Sequence, residues 1–287
     1  MHDIVILAFQ KDAALLGEIA RVAENPDELH VWWLGQSGFL VRHNASFLLL
    51  DPYLSDSLTL KYSSTDKPHV RMSERVIDPR ELRDIAVVTS SHNHTDHLDA
   101  ETLRPIFDNN PSAQFVIPEA NRDFVTQRLG NELSWPIGLD DGRSAVVGGW
   151  QFTGIAAAHN EFQTDVAGRH HFLGFIIQRG PWTLYHSGDT LLYPGLADTL
   201  GEHDVDVAFL PINGNDSRRR VAGNMDGAEA ALLACDAGIR WVIPHHFNMF
   251  EFNTADPEAL FVPECKRLGV HHRVLRVGEG WTVPPRD

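Results

Sequence analysis

Short apolar runs separated by polar breaks organise the chain. Residues 31–34, 38–41 and 47–50 are three such runs, and Gly35 and Asn44 lie in the breaks between them. This pattern predicts a meander of three strands. The run Ile85–Thr89 is β-branched and uncharged, which indicates a buried strand, whereas residues 98–107 carry apolar side chains at helical spacing. We therefore expect a strand that leads directly into a helix at this point.

The alternation of strand and helix patterns continues toward the C-terminus and predicts an α/β fold. Helices are expected over residues 119–129 and 224–237, and strands over residues 113–118, 150–158, 172–178, 182–190, 205–211 and 240–247. Residues 11–22 form an amphipathic pattern, so residues 1–30 are interpreted as an N-terminal extension whose helix packs on a single domain of residues 31–287. The polar segment 53–79 has no clear period, and two interpretations of it stay open: a flap over a substrate and a solvated loop.

Composition narrows the class of protein. Hydrophobic residues make up 43% and charged residues 22% of the 287 residues, which is typical of a globular domain, and no apolar run is long enough for a membrane span. The first residues lack a basic region and a cleavage site, so a cytoplasmic protein is expected. Two cysteines are too few for a disulfide framework. The net charge of -15 disfavours nucleic acid as a partner, although local cations in a cleft can still bind a small anion.

One cluster of polar residues carries the candidate chemistry. His92, His94, Asp96 and His97 follow the predicted strand Ile85–Thr89 within six residues. Imidazole and carboxylate are ligands of transition metals, and a strand-to-helix turn can aim the first two histidines at one point and the last two residues at a neighbouring point. The cluster therefore predicts a metal site with room for two adjacent ions.

The order His-x-His-x-Asp-His resembles the signature of the metallo-β-lactamase superfamily. This resemblance implies an αββα sandwich, in which two mixed sheets carry helices on their outer faces. It also implies three further ligands at strand ends, for which the candidates are His159, Asp189 and His246. The first metal would take His92, His94 and His159, the second would take Asp96, His97 and His246, and Asp189 would bridge them.

Each of the three distant candidates has an alternative interpretation. His159 could bond only to backbone, and Asp189 could cap a helix. In the pair His245 and His246, the resemblance favours His246 as the ligand and leaves His245 beside it in the core or behind the ligands.

Several segments resemble the branch of the superfamily that contains the L-ascorbate-6-phosphate lactonases. They are Trp32-Trp33-Leu34-Gly35, His186-Ser187-Gly188-Asp189 and the Ile-Pro-x-His pattern that ends at His246. The resemblance implies a hydrolase in which a hydroxide bridging two divalent transition metals, zinc or manganese, attacks a small anionic lactone or ester such as a sugar-phosphate lactone. Asp96 and Asp189 would be catalytic as well as ligands.

Two other functions stay open at this point. A phosphodiesterase would use the same dinuclear site, and a non-catalytic domain could keep the metals for stability alone. The Arg218-Arg219-Arg220 run is the densest positive charge in the chain, and Arg218 is the candidate contact to an anionic substrate, with a solvated loop as the alternative. A homo-oligomeric state is also left open.

Overall fold

The computed structural model describes residues 5–22 and 27–286. Its strands are β1 Leu29–Gly35, β2 Gly38–His43, β3 Ser46–Leu50, β4 Ile85–Thr89, β5 Gln114–Pro118, β6 Ile137–Leu139, β7 Ser144–Val147, β8 Trp150–Ala156, β9 Leu173–Arg179, β10 Trp182–His186, β11 Val207–Pro211, β12 Trp241–His245 and β13 Gly280–Val283. The α-helices are α1 Asp12–Arg21, α2 Ser57–Tyr62, α3 Ala100–Asn109, α4 Arg122–Leu129, α5 Leu196–Gly201, α6 Gly227–Asp236 and α7 Phe261–Leu268. Short 3-10 turns lie at Pro79–Glu81, Glu119–Asn121 and Ser217–Arg219.

The strands form two mixed sheets. One has the order β13-β1-β2-β3-β4-β5-β6, antiparallel as far as β3 and parallel from β3 to β6. The other has the order β12-β11-β10-β9-β8-β7, parallel from β12 to β10 and antiparallel beyond. Each sheet therefore joins a parallel half, which needs helical crossovers, to a meander that needs only turns.

The two sheets pack face to face through a continuous apolar core. Phe39 of the first sheet meets Phe209 of the second at a ring-centroid distance of 4.4 Å. All seven residues of β1 are buried, as expected for a strand with protein on both faces. On an outer face, α6 packs on β11 and β12 through Ala230 and Leu233. The predicted αββα sandwich is confirmed.

The N-terminal helix is attached to this sandwich by apolar and polar contacts. Leu15 of α1 is fully buried in the core, and Glu18 accepts a 2.9 Å hydrogen bond from Trp32 Nε1. Strand β1 begins two residues before the predicted domain start at residue 31. Residues 1–4 and 23–26 of the predicted extension, and residue 287 of the predicted domain, lie outside the described residues. The division of the chain at residue 30 stays a prediction.

Three strands were not predicted, and all of them lie at sheet edges. β13 and β6 flank the first sheet, and β7 flanks the second. An edge strand has only one neighbouring strand, so the alternation of apolar and polar residues in its sequence is weaker. In β7, only one of the four residues is buried. The helices of the described ranges are all too short or too polar to cross a lipid bilayer.

Candidate metal centre

Four strands deliver the predicted ligands at their C-terminal ends. His92, His94, Asp96 and His97 follow β4 in the first sheet, whereas His159, Asp189 and His246 follow β8, β10 and β12 of the second. Because the sheets face each other, these ends meet at one rim of the sandwich. The structure brings all seven predicted residues together there.

The ligand atoms fall into three groups, each with its atoms within 4.8 Å of one another. The groups are His92, His94 and His159, then His92, His97 and Asp189, and finally Asp96, His97 and His246. The first and last groups match the two predicted metal sites.

The carboxylate of Asp189 lies between these sites. Its oxygens are 3.3 Å from His97 Nε2, 3.6 Å from His159 Nε2 and 3.2 Å from His246 Nε2. One carboxylate that reaches ligands of both sites is positioned to bridge two cations.

Local sequence explains how the turns form. Asp99 accepts a hydrogen bond from Thr102 N and so caps α3 immediately after the ligand turn. Gly188 has φ +57, and a Cβ there would lie 2.6 Å from the side chain of Ser91, so only glycine lets the two ligand turns approach this closely. Thr190 Oγ1 accepts a hydrogen bond from Ala158 N, which ties the turn of Asp189 to the turn of His159.

Buried atoms with unused hydrogen-bonding capacity indicate that this cluster fits metal ions. Within the described ranges, His92 Nε2, His97 Nε2 and Asp189 Oδ1 are buried without a hydrogen-bond partner, although the last two lie 3.3 Å apart. Buried polar atoms are normally satisfied, and an ion is one recognised reason for an exception. Five imidazoles and two carboxylates form a ligand set that suits divalent transition metals.

Residues behind the ligands fix the orientation of their rings. The backbone carbonyl of Gly223 accepts from His159 Nδ1 at 2.8 Å, which leaves Nε2 to face the centre. Gln36 Nε2 donates to Asp96 Oδ2 at 2.7 Å and lies 3.1 Å from His246 Nε2. Such contacts select the tautomer and ring angle of a metal-binding histidine.

Asp51 is the most extensively bonded of these supporting residues. Its fully buried carboxylate lies 2.8 Å from His97 Nδ1 and accepts hydrogen bonds from Ser91 N at 3.1 Å and Thr89 Oγ1 at 2.7 Å. Burial alone would raise the pKa of Asp51, but the hydrogen bond from His97 and the other contacts hold it well below its usual range. Asp51 therefore stays ionised and directs His97 Nε2 toward the metal position.

The pair His245 and His246 separates into one ligand and one supporting residue. His246 has φ +62, which turns its ring toward Asp96 and Asp189. His245 points the other way, where its Nδ1 lies 3.1 Å from Ser37 Oγ and its ring stacks on His186 at 5.3 Å. His186 in turn donates to the carbonyl of Ser37 at 2.9 Å. The structure brings His246, and not His245, together with Asp96 and His97, so His246 stays the predicted ligand.

The pKa values of the histidines shift in opposite directions in the two parts of the centre. Burial lowers the pKa of His159 to about 4 and lowers that of His92 well below its usual range. Burial has the same tendency at His97 and His246, but the adjacent Asp189 and Asp96 carboxylates outweigh it and raise the pKa of both. His97 and His246 therefore keep their protons to a higher pH than a free imidazole does when no cation competes.

A cleft of about 450 Å³ opens in front of the ligands. Segment 53–79 forms one wall of it through Leu58, Lys61, Tyr62 and His69, whereas residues 63–66 of the same segment are exposed to solvent. Whether it closes over a substrate stays a prediction. A second cavity of about 280 Å³, lined by Asn160, Gln163 and His171, continues past His94 and His159.

Arg218 does not lie where the sequence analysis expected it. Its side chain is 89% exposed and is paired with Asp216 at 2.7 Å, and it is not among the residues that line the cleft. The physical reason is local: Asp216 caps the same turn and neutralises the guanidinium next to it. The cations that line the cleft are Lys61 and Arg128 instead.

Comparison with known proteins agrees with this geometry. Residues 47–247, more than half of the chain, match the model of the beta-lactamase superfamily domain. The chain belongs to the beta-lactamase superfamily. A UPF0173 metal-dependent hydrolase from Hyperthermus butylicus is 30% identical over 256 residues, which cover 87% of this chain and 97% of that protein. The chain is thus a metal-dependent hydrolase of this superfamily.

Solved structures show the same fold. Igni18, a metallo hydrolase from Ignicoccus hospitalis, matches with a TM-score of 0.65 at 24% identity. The match covers 90% of this chain and 100% of the Igni18 chain. The metallo-beta-lactamase fold protein YhfI from Bacillus subtilis has a TM-score of 0.64 at 18% identity, over 89% of this chain and 99% of its own. The closer resemblance to the lactonase branch stays a prediction.

We predict that Asp51→Asn weakens metal binding while leaving every ligand in place. The amide replaces a charged acceptor behind His97, and loss of such a supporting contact typically costs about 10–100-fold in metal affinity. Competition with a chromophoric chelator would measure this. Asp99→Asn is the matched control, since Asp99 is buried and caps α3 without touching a ligand; an equal loss in both variants would contradict the assigned role of Asp51.

The two adjacent histidines should respond differently to substitution. His246→Ala removes a ligand and should lower the metal-to-protein ratio found by elemental analysis. His245→Ala should leave that ratio unchanged and lower the melting temperature, because it opens a cavity beside His186. A normal metal content in His246→Ala would show that the ligand had been assigned to the wrong residue.

Metal affinity should rise with pH. His97 and His246 have raised pKa values in the metal-free protein, so they are protonated below those values and a cation must displace their protons. Above those values the affinity should become constant. Isothermal titration in two buffers with different ionisation enthalpies would count the released protons, and affinity that does not vary between pH 5 and pH 8 would contradict the prediction.

Proposed function

We propose that this superfamily member hydrolyses a small anionic ester or lactone at a dinuclear site. The observation that supports this most directly is the composition of the cleft. Its base is the ligand cluster, and its walls carry two cationic side chains, Lys61 and Arg128. No carboxylate lies within ion-pair distance of either cation in the part of the chain that the structure describes, so both are available to an anionic ligand.

His92, His94 and His159 would hold one cation, and Asp96, His97 and His246 the other, with Asp189 shared. Zinc and manganese are both compatible with these nitrogen and oxygen ligands. A bound pair of cations would lower the pKa of a water molecule held between them to about 7, and it would stabilise negative charge on the leaving oxygen. The role of the protein is to hold the cations and to orient the substrate, for which the walls of the cleft provide charged and apolar contacts.

Arg128 and Lys61 differ in how firmly they are held. Arg128 Nη1 donates to the carbonyls of Asn93 and Leu98, at 3.0 and 3.1 Å, and its guanidinium lies 4.4 Å from the ring centre of Phe124. Lys61 is exposed at the end of α2, 5.0 Å from the ring centre of Tyr62. Arg128 is therefore a fixed charge beside the metal turn, whereas Lys61 can move toward a bound anion.

The size of the cleft favours a small molecule. About 450 Å³ lies in the usual range for metabolite pockets, and the further cavity beyond His94 would hold the second half of an ester. Phe250 and Phe252 provide an apolar wall for the carbon skeleton.

A substrate panel tests the proposal. Protein loaded with zinc or manganese should contain up to two metals per chain and should hydrolyse anionic esters and sugar-phosphate lactones. Turnover of model phosphodiesters alone would replace the ester assignment with phosphodiester hydrolysis. Full metal content with no turnover of either class would instead favour a metal-stabilised, non-catalytic domain.

We further predict that Lys61→Ala raises KM for anionic esters about tenfold and changes KM for neutral esters little. Removing one ion pair in a partly exposed cleft costs on the order of 1 kcal/mol, and 1.4 kcal/mol corresponds to a factor of ten. Arg218→Ala is the matched control and should behave as wild type, because Arg218 is paired with Asp216 outside the cleft. A selective loss of anionic substrates in Arg218→Ala, with none in Lys61→Ala, would restore the original assignment of Arg218.

A further inference from the structure

His69 lines the metal cleft without belonging to the ligand set. It lies on segment 53–79 and is only 9% exposed, and it shares the cleft wall with Asp96, Asp189 and His246. Each of the other histidines of that wall, His94, His159 and His246, belongs to a ligand group, whereas His69 belongs to none in the described part of the chain.

Aromatic rings hold the imidazole of His69 in one orientation. Tyr62 stacks on it with ring centroids 4.2 Å apart and an interplanar angle of 19°. Phe250 and Phe252 approach it nearly perpendicularly, at 5.2 and 4.6 Å. Thr59 Oγ1 donates to the carbonyl of His69 at 2.7 Å and so fixes its backbone as well. This clamp, formed by Tyr62, Phe250 and Phe252, restricts rotation of the ring.

A hydrogen bond selects the tautomer. His69 Nδ1 lies 3.1 Å from the backbone carbonyl of Lys67, and a carbonyl can only accept, so Nδ1 carries the proton. In the neutral ring Nε2 then has a free lone pair. Within residues 5–22 and 27–286, no group is hydrogen-bonded to Nε2, and this atom is not enclosed like the buried unsatisfied ring nitrogens elsewhere in the fold.

The charge state of His69 suits proton transfer. Burial lowers the pKa of its ring, and the hydrogen bond to Lys67 and the nearby Asp96 only partly offset this effect. The ring is therefore neutral at pH 7, with one proton on Nδ1 and an acceptor at Nε2. A neutral imidazole in this state can first accept a proton and then return it.

We propose that His69 is the proton-transfer residue of the cleft. Nε2 takes the proton that water releases before its oxygen bonds to the carbonyl carbon, a proton that solvent can also accept, and it gives that proton to the leaving alkoxide oxygen when the carbon–oxygen bond breaks. The products are an acid and an alcohol, and His69 returns to its starting state. This inference rests on the proposed ester hydrolysis.

Other polar groups of the cleft are less suited to this task. The lone pairs of Asp96, Asp189 and the ligand histidines are committed to the metal positions. Lys61 and Arg128 are cations without a free lone pair, so they can orient an anion but cannot accept a proton from water. The side chain of His69 combines a free acceptor with a fixed direction.

His69→Phe is the most direct test, since phenylalanine keeps a ring inside the clamp and removes both nitrogens. The two probes are the 4-nitrophenyl and methyl monoesters of succinate, which share an anionic acyl group. A methoxide leaving group needs a proton, whereas 4-nitrophenolate leaves without one. We expect kcat for the methyl ester to fall about 10²–10⁴-fold and that for the nitrophenyl ester to fall less than tenfold. Metal content should not change.

Two further variants separate chemistry from packing. His69→Gln can place an amide near the position of Nε2 but cannot shuttle a proton, so it should show the same dependence on the leaving group. Phe252→Leu removes one ring of the clamp but keeps His69 as the proton acceptor, so kcat for the methyl ester should fall less than in His69→Phe. An equal loss of both esters in His69→Phe would overturn the proposal and leave His69 as a packing residue.

A measurement that does not depend on turnover completes the test. Among the histidine signals in nitrogen-15 spectra of the zinc-loaded protein, one set from an Nδ1–H form with an unprotonated Nε2 should vanish in His69→Phe. An Nε2–H form at this position would overturn the proposal. Failure of the wild type to hydrolyse either ester would instead refute the proposed function. The spectra would still determine the tautomer of His69, because they do not depend on turnover.

Discussion

The buried carboxylate of Asp51 is the interaction on which the rest of the centre depends. It stands at the end of β3, with φ +36, and its oxygens face groups at the end of the neighbouring parallel strand β4. An isolated buried charge would cost several kcal/mol, so the surrounding donors are a condition for folding as well as for binding. Because those donors include His97, the same contact that stabilises the C-terminal ends of β3 and β4 also orients a metal ligand.

The ligands could be predicted from the sequence because their signals are local. Three histidines and an aspartate lie within six residues at a strand end. His159, Asp189 and His246 each follow a separate apolar run. Asp51 and Gln36 could not be found in this way. Asp51 meets His97 from 46 residues away, and Gln36 meets His246 from 210 residues away. Only the pairing of strands brings these residues to the centre.

Arg218 and His69 show two ways in which sequence analysis can miss a residue that contacts the substrate. The arginine run stands out in composition, yet Asp216 two residues earlier already neutralises Arg218. His69 is inconspicuous in a polar segment without periodicity, and its importance arises from rings contributed by α2 and by the loop after β12. Residue type predicts a ligand well when geometry is local, and predicts a substrate contact poorly when the cleft is assembled from distant segments.

The two ends of Lys67 connect segment 53–79 with the loop that carries Arg219 and Arg220. Its Nζ donates to the carbonyls of Arg219 and Arg220 at 2.7 and 2.8 Å, across the mouth, while its own carbonyl accepts from His69. Any movement that widens the entrance by pulling segment 53–79 away from residues 219 and 220 must break both contacts of the ammonium and shift the residue that orients the imidazole. A change in the width of the entrance would thus also change the alignment of His69.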